Sequence, residues 1–342
     1  MKLLLAISVL YASFFAIAAE PTANTANAPE KIIGEGAFRY RLVPGWAKLE
    51  GLKVRNGHGL ALDRSGYVYF LTDHPENNLI VLDPVSGKVQ SQRNLGLPGA
   101  HGLTILDDGP RQVLYVTCTE THRVVKTTLQ GEILQELPWP KESGHYADAK
   151  DYKPSCALPL PDGGLFVLDG YGKDFILNYG ADGLLRQSFG GNAGGVPHWG
   201  PHGGTLDCRD PSRPSLILAM SDQHNLSRWT LDGKKLEEIP LPSTNPRCLK
   251  PFGEAWMMAT IGDQWPKDFN RPGYLSILDE HFRLLVNLGA EAPRYVDGKL
   301  QTITADGTFR HPHDFAVGPD GSLYVAQFSS GDQPLLKFEK VK

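Results

Sequence analysis

Cysteine is scarce in this sequence: four residues in 342, at 118, 156, 208 and 248, with no C-x-x-C pair among them. That spacing excludes a zinc ribbon; in an oxidising compartment the four could form up to two disulfides by three connectivities, which remain open. Basic runs are also missing, and the net charge is -4. A nucleic-acid partner is therefore not expected, because its electrostatic footprint is a clustered Lys/Arg face. With 41% hydrophobic and 21% charged residues, the chain is too apolar for intrinsic disorder and long enough to bury a full core.

One long apolar run is present, MKLLLAISVLYASFFAIAA, with a single lysine at its start and small residues Ala16, Ala18 and Ala19 before Glu20. This is the layout of a signal peptide over residues 1–19, cleaved after Ala18 or Ala19; the alternative is an uncleaved anchor. No cysteine follows the run, which argues against a lipoprotein. A secreted or periplasmic protein is expected, with no membrane contact after cleavage. Residues 20–37, polar and Pro/Ala-rich, read as a disordered lead.

What fills the rest is a repeat. HGLALDRSGYVYFLTD starts at 58, HGLTILDDGPRQVLYVTCTETH at 101 and CALPLPDGGLFVLDGYGKD at 156. HGGTLDCRDPSRPSLILAMSDQHN follows at 202, CLKPFGEAWMMATIGDQW at 248 and HDFAVGPDGSLYVAQFSSGD at 313. The intervals are near the period of a four-stranded propeller blade. Each unit reads as a strand, a tight Asp/Gly turn, an apolar strand, a polar loop and two further strands. The last unit has room for only three, and FRYRLVPGW at 38–46 can supply the fourth. The expected fold is all-β, a six-bladed β-propeller over residues 38–342, its ring closed by an N-terminal strand and therefore free of open edges. A long insertion is expected in blade five, between Gly262 and Pro272.

The first strand of each propeller blade lines the central channel, so His58, His101, Cys156, His202, Cys248 and His313 are expected at its mouth. His101, His202 and His313 open blades two, four and six, about 120° apart around a six-fold ring. Three neutral imidazoles with a vacant fourth position is the arrangement of catalytic zinc. His58 opens blade one and stands outside that alternation. Antiparallel pairing brings the loops after the second strands to the same mouth. These carry Asp73 and His74, Glu120 and His122, Asp169 and Tyr171, Asp222 and Gln223, and Asp263 and Gln264, a rim suited to a small polar molecule or peptide. Tyr171, in DGYGKD, is the acid–base candidate, because a dication stabilises a phenolate. His198 and His311 lie close enough in sequence to assist.

HGLTI, DGYGKDFILNYGADG, PHGGTL and HPHDFAVGPDGSLYV resemble the blades of peptidyl-α-hydroxyglycine α-amidating lyase, within the NHL-repeat propellers, over roughly residues 50–340. The resemblance implies zinc on His101, His202 and His313, with Tyr171 as the catalytic tyrosine. It also implies a structural calcium held by Asp314 and by the carbonyls of Leu60 and Leu103. The family's substrate-side arginines fall at Thr72 and Gln223, and its methionine two residues before the third histidine falls at His311, so the substrate rim of Thr72, Gln223, His311 and His58 departs from the pattern. The expectation is an exported, monomeric, zinc-dependent lyase with a diverged substrate. The alternative is a non-catalytic NHL-type propeller that binds a peptide, glycan or protein. Lactonase-like and streptogramin-lyase-like propellers fit less well: the first needs a carboxylate-rich metal site and the second has seven blades.

Overall fold

The tight turns between first and second strands are built by aspartate. Asp63 accepts from the backbone N–H of Ser65, Asp162 from that of Gly164 and Asp320 from that of Ser322, each at 2.9 Å. A side-chain acceptor two residues upstream reverses the chain without help from the ladder. Each turn joins two apolar strands, and in the computed structural model the chain folds into six antiparallel sheets arranged as propeller blades. The structure describes residues 30–342, so the segment assigned to the signal peptide and most of the lead lie outside the described residues.

Blade one is Gly57–Leu62, Val68–Thr72, Leu79–Leu82 and Val89–Arg93, and blades two to five repeat this order beginning at Ala100, Cys156, Pro201 and Asn245. Blade six takes Pro312–Val317, Leu323–Gln327 and Leu335–Lys340 from the C-terminal end and Tyr40–Leu42 from the N-terminal end. Tyr40 pairs with Lys340 and Leu42 with Phe338, so the ring is closed as the missing strand requires. The closing strand is shorter than 38–46, since Pro44 has no N–H to continue the ladder. Ile32 and Ile33, assigned to the lead, instead add a fifth strand beside it, pairing with Arg41 and Tyr40.

Six apolar clusters form the core, each packed between two neighbouring blades, and the one between blades five and six takes in Ile33 and Tyr40. The insertion in blade five lies where the sequence places it, between Ile261 and Tyr274. A short hairpin, Tyr295–Val296 with Lys299–Leu300, accounts for the extra length before blade six.

The first strands differ from the expected register at one point that matters for function. Pairing skips a residue at His58, His202, Arg247 and His313, a β-bulge that lifts that residue out of the ladder. In blade five the residue so lifted is Arg247, not Cys248. In blade three Ser155 plays the corresponding part, not Cys156, as its carbonyl shows below.

Candidate metal centre

A register shift in blade two between Ala100 and Leu103, with the bulges at His202 and His313, places imidazoles from blades two, four and six around one axis. The ring centroids of His101 and His202 are 4.9 Å apart, those of His101 and His313 4.7 Å, and those of His202 and His313 4.8 Å. All three are buried. Each is oriented by the next blade: Nδ1 of His101 donates to the Ser155 carbonyl at 2.9 Å, Nδ1 of His202 to the Arg247 carbonyl at 2.8 Å, and Nδ1 of His313 to the His58 carbonyl at 2.8 Å. The His-Gly dipeptides make this possible in blades two and four. A Cβ on Gly102 would stand 2.6 Å from the Ser155 oxygen, and one on Gly203 would strike the Arg247 oxygen, the carbonyls that receive the two imidazole protons.

With the proton fixed on Nδ1, every Nε2 keeps a lone pair, which at His202 is engaged by the Tyr171 hydroxyl. Burial holds all three imidazoles neutral, well below the ordinary histidine range, and the Arg247 guanidinium adds to this at His202. The Nε2 of His101 is buried with no partner. A cluster of neutral, inward-facing nitrogen donors whose other nitrogens are hydrogen-bonded is a donor set that fits zinc.

Tyr171 reaches the cluster as expected. Its hydroxyl donates to His202 Nε2 at 2.9 Å and accepts from Arg247 Nη1 at 3.2 Å. The loop carrying it is pinned by the two aspartates of DGYGKD. Asp169 accepts from the backbone N–H groups of Lys153 and Lys173, each at 2.7 Å, and from the Tyr146 hydroxyl at 2.8 Å. Asp174 accepts from the Gly200 N–H at 3.2 Å and pairs with His198 Nδ1 at 3.0 Å. Burial raises the Tyr171 pKa, and the guanidinium works against that rise.

The other rim assignments scatter. His58 lies in the cluster, its ring centroid 4.8 Å from that of His101 and 4.7 Å from that of His313. Thr72 is fully buried and spends its hydroxyl on the Asn77 carbonyl at 2.6 Å, so it faces its own loop and not the mouth. Gln223 turns away to the His198 carbonyl. His311 is buried, with Nδ1 on the Phe328 carbonyl. His74 serves its own loop, and His122 Nδ1 donates to the Tyr152 carbonyl at 2.7 Å.

Arg247, Trp265 and Phe328 are the residues that sequence reasoning missed. Arg247 is only 3% exposed, lies 4.7 Å from the Trp265 ring centre, leaves Nε without a partner, and has no carboxylate within ion-pair distance among the described residues. Trp265 in turn meets Phe328 at 6.2 Å, and Phe328 meets His58 at 5.7 Å. Placing Arg247 at the blade opening, one residue before Cys248, was the available signal.

The central channel encloses about 430 Å³ and is lined from all six blades. Within it, Asp314 Oδ2 accepts from the Leu60 N–H at 2.9 Å, and Oδ1 lies 2.6 Å from Lys250 Nζ. The same ammonium donates to the carbonyls of Leu60 at 3.1 Å and Phe315 at 2.9 Å. Calcium takes six to eight oxygens; here two of those assigned to it already hold a lysine ammonium, which would repel a dication. As arranged, Asp314, Leu60 and Leu103 do not fit calcium. Lys250→Met is expected to lower stability by about 2 kcal/mol, below the usual loss for a broken buried pair because the lysine is partly open to the channel. Calcium chelation is expected to leave the wild-type melting temperature unchanged, and a clear fall would restore the calcium site.

Fold and centre together define a six-bladed β-propeller with a histidine cluster on its axis. No family model matches the chain, and no curated protein does. Among solved structures it is similar to virginiamycin B lyase from Staphylococcus aureus, at 14% identity and TM-score 0.53 over 85% of this chain and 86% of that one. A catalytically inactive form of that lyase with quinupristin gives TM-score 0.53 at 14% identity, covering 91% and 89%. Hydrazine synthase of Kuenenia stuttgartiensis gives 0.52 at 14% identity, covering 85% and 98%. At these identities the likeness establishes the fold alone.

Proposed function

We propose that the chain is an exported, zinc-dependent lyase that cleaves the C–N bond of a carbinolamide-like substrate bearing an anionic group. The observation that carries the reading is the Tyr171 hydroxyl 2.9 Å from Nε2 of His202, in a cluster of imidazoles whose Nδ1 protons are held by backbone carbonyls. His101, His202 and His313 would hold zinc, which when bound supplies Lewis acidity toward a substrate oxygen.

The chain's own residues divide the remaining work. In its ionised form Tyr171 takes the proton of the substrate hydroxyl; the oxygen's electrons form a carbonyl as the C–N bond breaks, and Tyr171 returns that proton to the nitrogen, which leaves as an amide. The guanidinium 3.2 Å from the phenol steadies its ionised form. Arg247 also supplies the anion-binding group absent at Thr72 and Gln223, since a buried guanidinium with no carboxylate in ion-pair contact among the described residues, and only Asp222 acting on it from farther off, favours a carboxylate on the substrate.

The test is turnover of α-hydroxyglycine-terminated peptides and of analogues without the carboxylate. Arg247→Gln is expected to lower kcat/KM on both substrates through the weakened support of Tyr171, and by a further factor of about 10 to 100 on the carboxylate substrate, the worth of a charged hydrogen bond. Equal losses on both would remove Arg247 from anion binding. No turnover of either by zinc-loaded protein would favour a binding propeller instead.

A further inference from the structure

We infer that His58 is a fourth ligand of the same centre, donating through Nδ1; this rests on the cluster's being a metal site. The argument begins with protons. His313 Nδ1 donates to the His58 carbonyl, so its Nε2 carries a lone pair. His58 Nε2 faces Asp73 Oδ2 at 3.5 Å. A carboxylate only accepts, which puts the His58 proton on Nε2 and the lone pair on Nδ1. Asp73 is itself well anchored: Arg55 lies 2.9 Å from Oδ2, and Asn56 donates to the same oxygen at 2.7 Å.

His58 Nδ1 and His313 Nε2 are 3.5 Å apart. With the His58 proton on Nε2, two lone pairs face each other there and repel unless something positive lies between them; the other tautomer would make the contact an N–H···N hydrogen bond. Zinc–nitrogen bonds of 2.0–2.1 Å at the tetrahedral angle put two ligand nitrogens about 3.4 Å apart, which is the separation found. Ligand atoms of His58, His101 and His313 lie within 4.8 Å of one another, a triad that has His58 where the blade alternation has His202.

The four histidines are held alike. Three are oriented by a backbone carbonyl and His58 by a carboxylate, and each presents its other nitrogen to the axis. Partners of this kind fix the tautomer of a metal-binding imidazole. His74 Nδ1 accepts from the Glu76 N–H in its own loop, and His122 Nδ1, though it donates to the Tyr152 carbonyl at 2.7 Å, belongs to no such cluster of ligand atoms among the described residues. The position that the blade alternation leaves open is thus taken by His58 at rest, and a substrate oxygen or other outside ligand must displace His58 to reach the metal.

The test uses the full chain loaded with cobalt(II) alone, followed by absorbance while azide is titrated. Wild type is expected to bind one cobalt, to show the visible bands of a four-nitrogen site and to change little with azide. His58→Ala is expected to keep cobalt, to bind it roughly 100-fold more weakly or worse, since losing even an orienting partner costs 10- to 100-fold, and to respond to azide. His58→Gln, which preserves bulk beside Asp73, should show the same azide response and guards against a folding defect in the alanine variant. If both variants match wild type in affinity and spectrum, His58 is no ligand while the metal site stands. If wild type binds neither cobalt nor zinc, both the inference and the zinc reading fall.

Discussion

Purified protein is expected to carry about one zinc per chain, and His101→Ala or His313→Ala to lose nearly all of it, as read by elemental analysis. These two histidines belong to both triads, so removing either leaves neither complete. Structural zinc binding of 10–16 kcal/mol shared among four ligands corresponds to a loss of roughly 10²- to 10³-fold in affinity per ligand. His202→Ala should lose less, because His58, His101 and His313 still offer three nitrogens within 4.8 Å. Full stoichiometry in His101→Ala would mean that the cluster is a packing feature of the channel mouth.

Tyr171→Phe is expected to keep fold and zinc while lowering turnover by roughly 10² to 10⁴, the usual worth of a positioned general base. The phenyl ring retains its edge contacts with His101 and His202, at 5.1 and 5.3 Å. What disappears is the oxygen shared by His202 and Arg247. A tyrosine that only packed would give a variant as fast as wild type. The two substitutions therefore separate metal from base: one removes zinc with the phenol in place, the other removes the phenol with zinc in place.

The propeller was legible because most blades repeat a local code: a turn rich in aspartate and glycine between apolar strands, and a histidine or small residue near the opening of the first strand. His101, His202 and His313 followed from that periodicity, and Tyr171 from antiparallel pairing. Arg247 did not, because a bulge inserts one residue without altering composition, and counting from Cys248 landed one position late. Thr72 and Gln223 occupy the right loops but point elsewhere, and side-chain direction is set by local hydrogen bonds that sequence does not spell out. Lys250 was invisible for a different reason. Its partners Asp314, Leu60 and Phe315 lie in other blades, 64, 190 and 65 residues away, and only the closed ring brings them together.

The pairing of Tyr40 with Lys340 sets a timetable as well as a geometry. At 5–20 residues per second, synthesis takes roughly 15–60 s to travel from one partner to the other. Throughout that interval five blades can form in order while Tyr40–Leu42 has no strand to join, and the outer edge of the last blade does not yet exist. The N-terminal strand must stay unpaired with every earlier edge it could join, and its brevity, three residues followed by Val43-Pro44, makes such mispairing weak. The latch of this ring is short enough to wait.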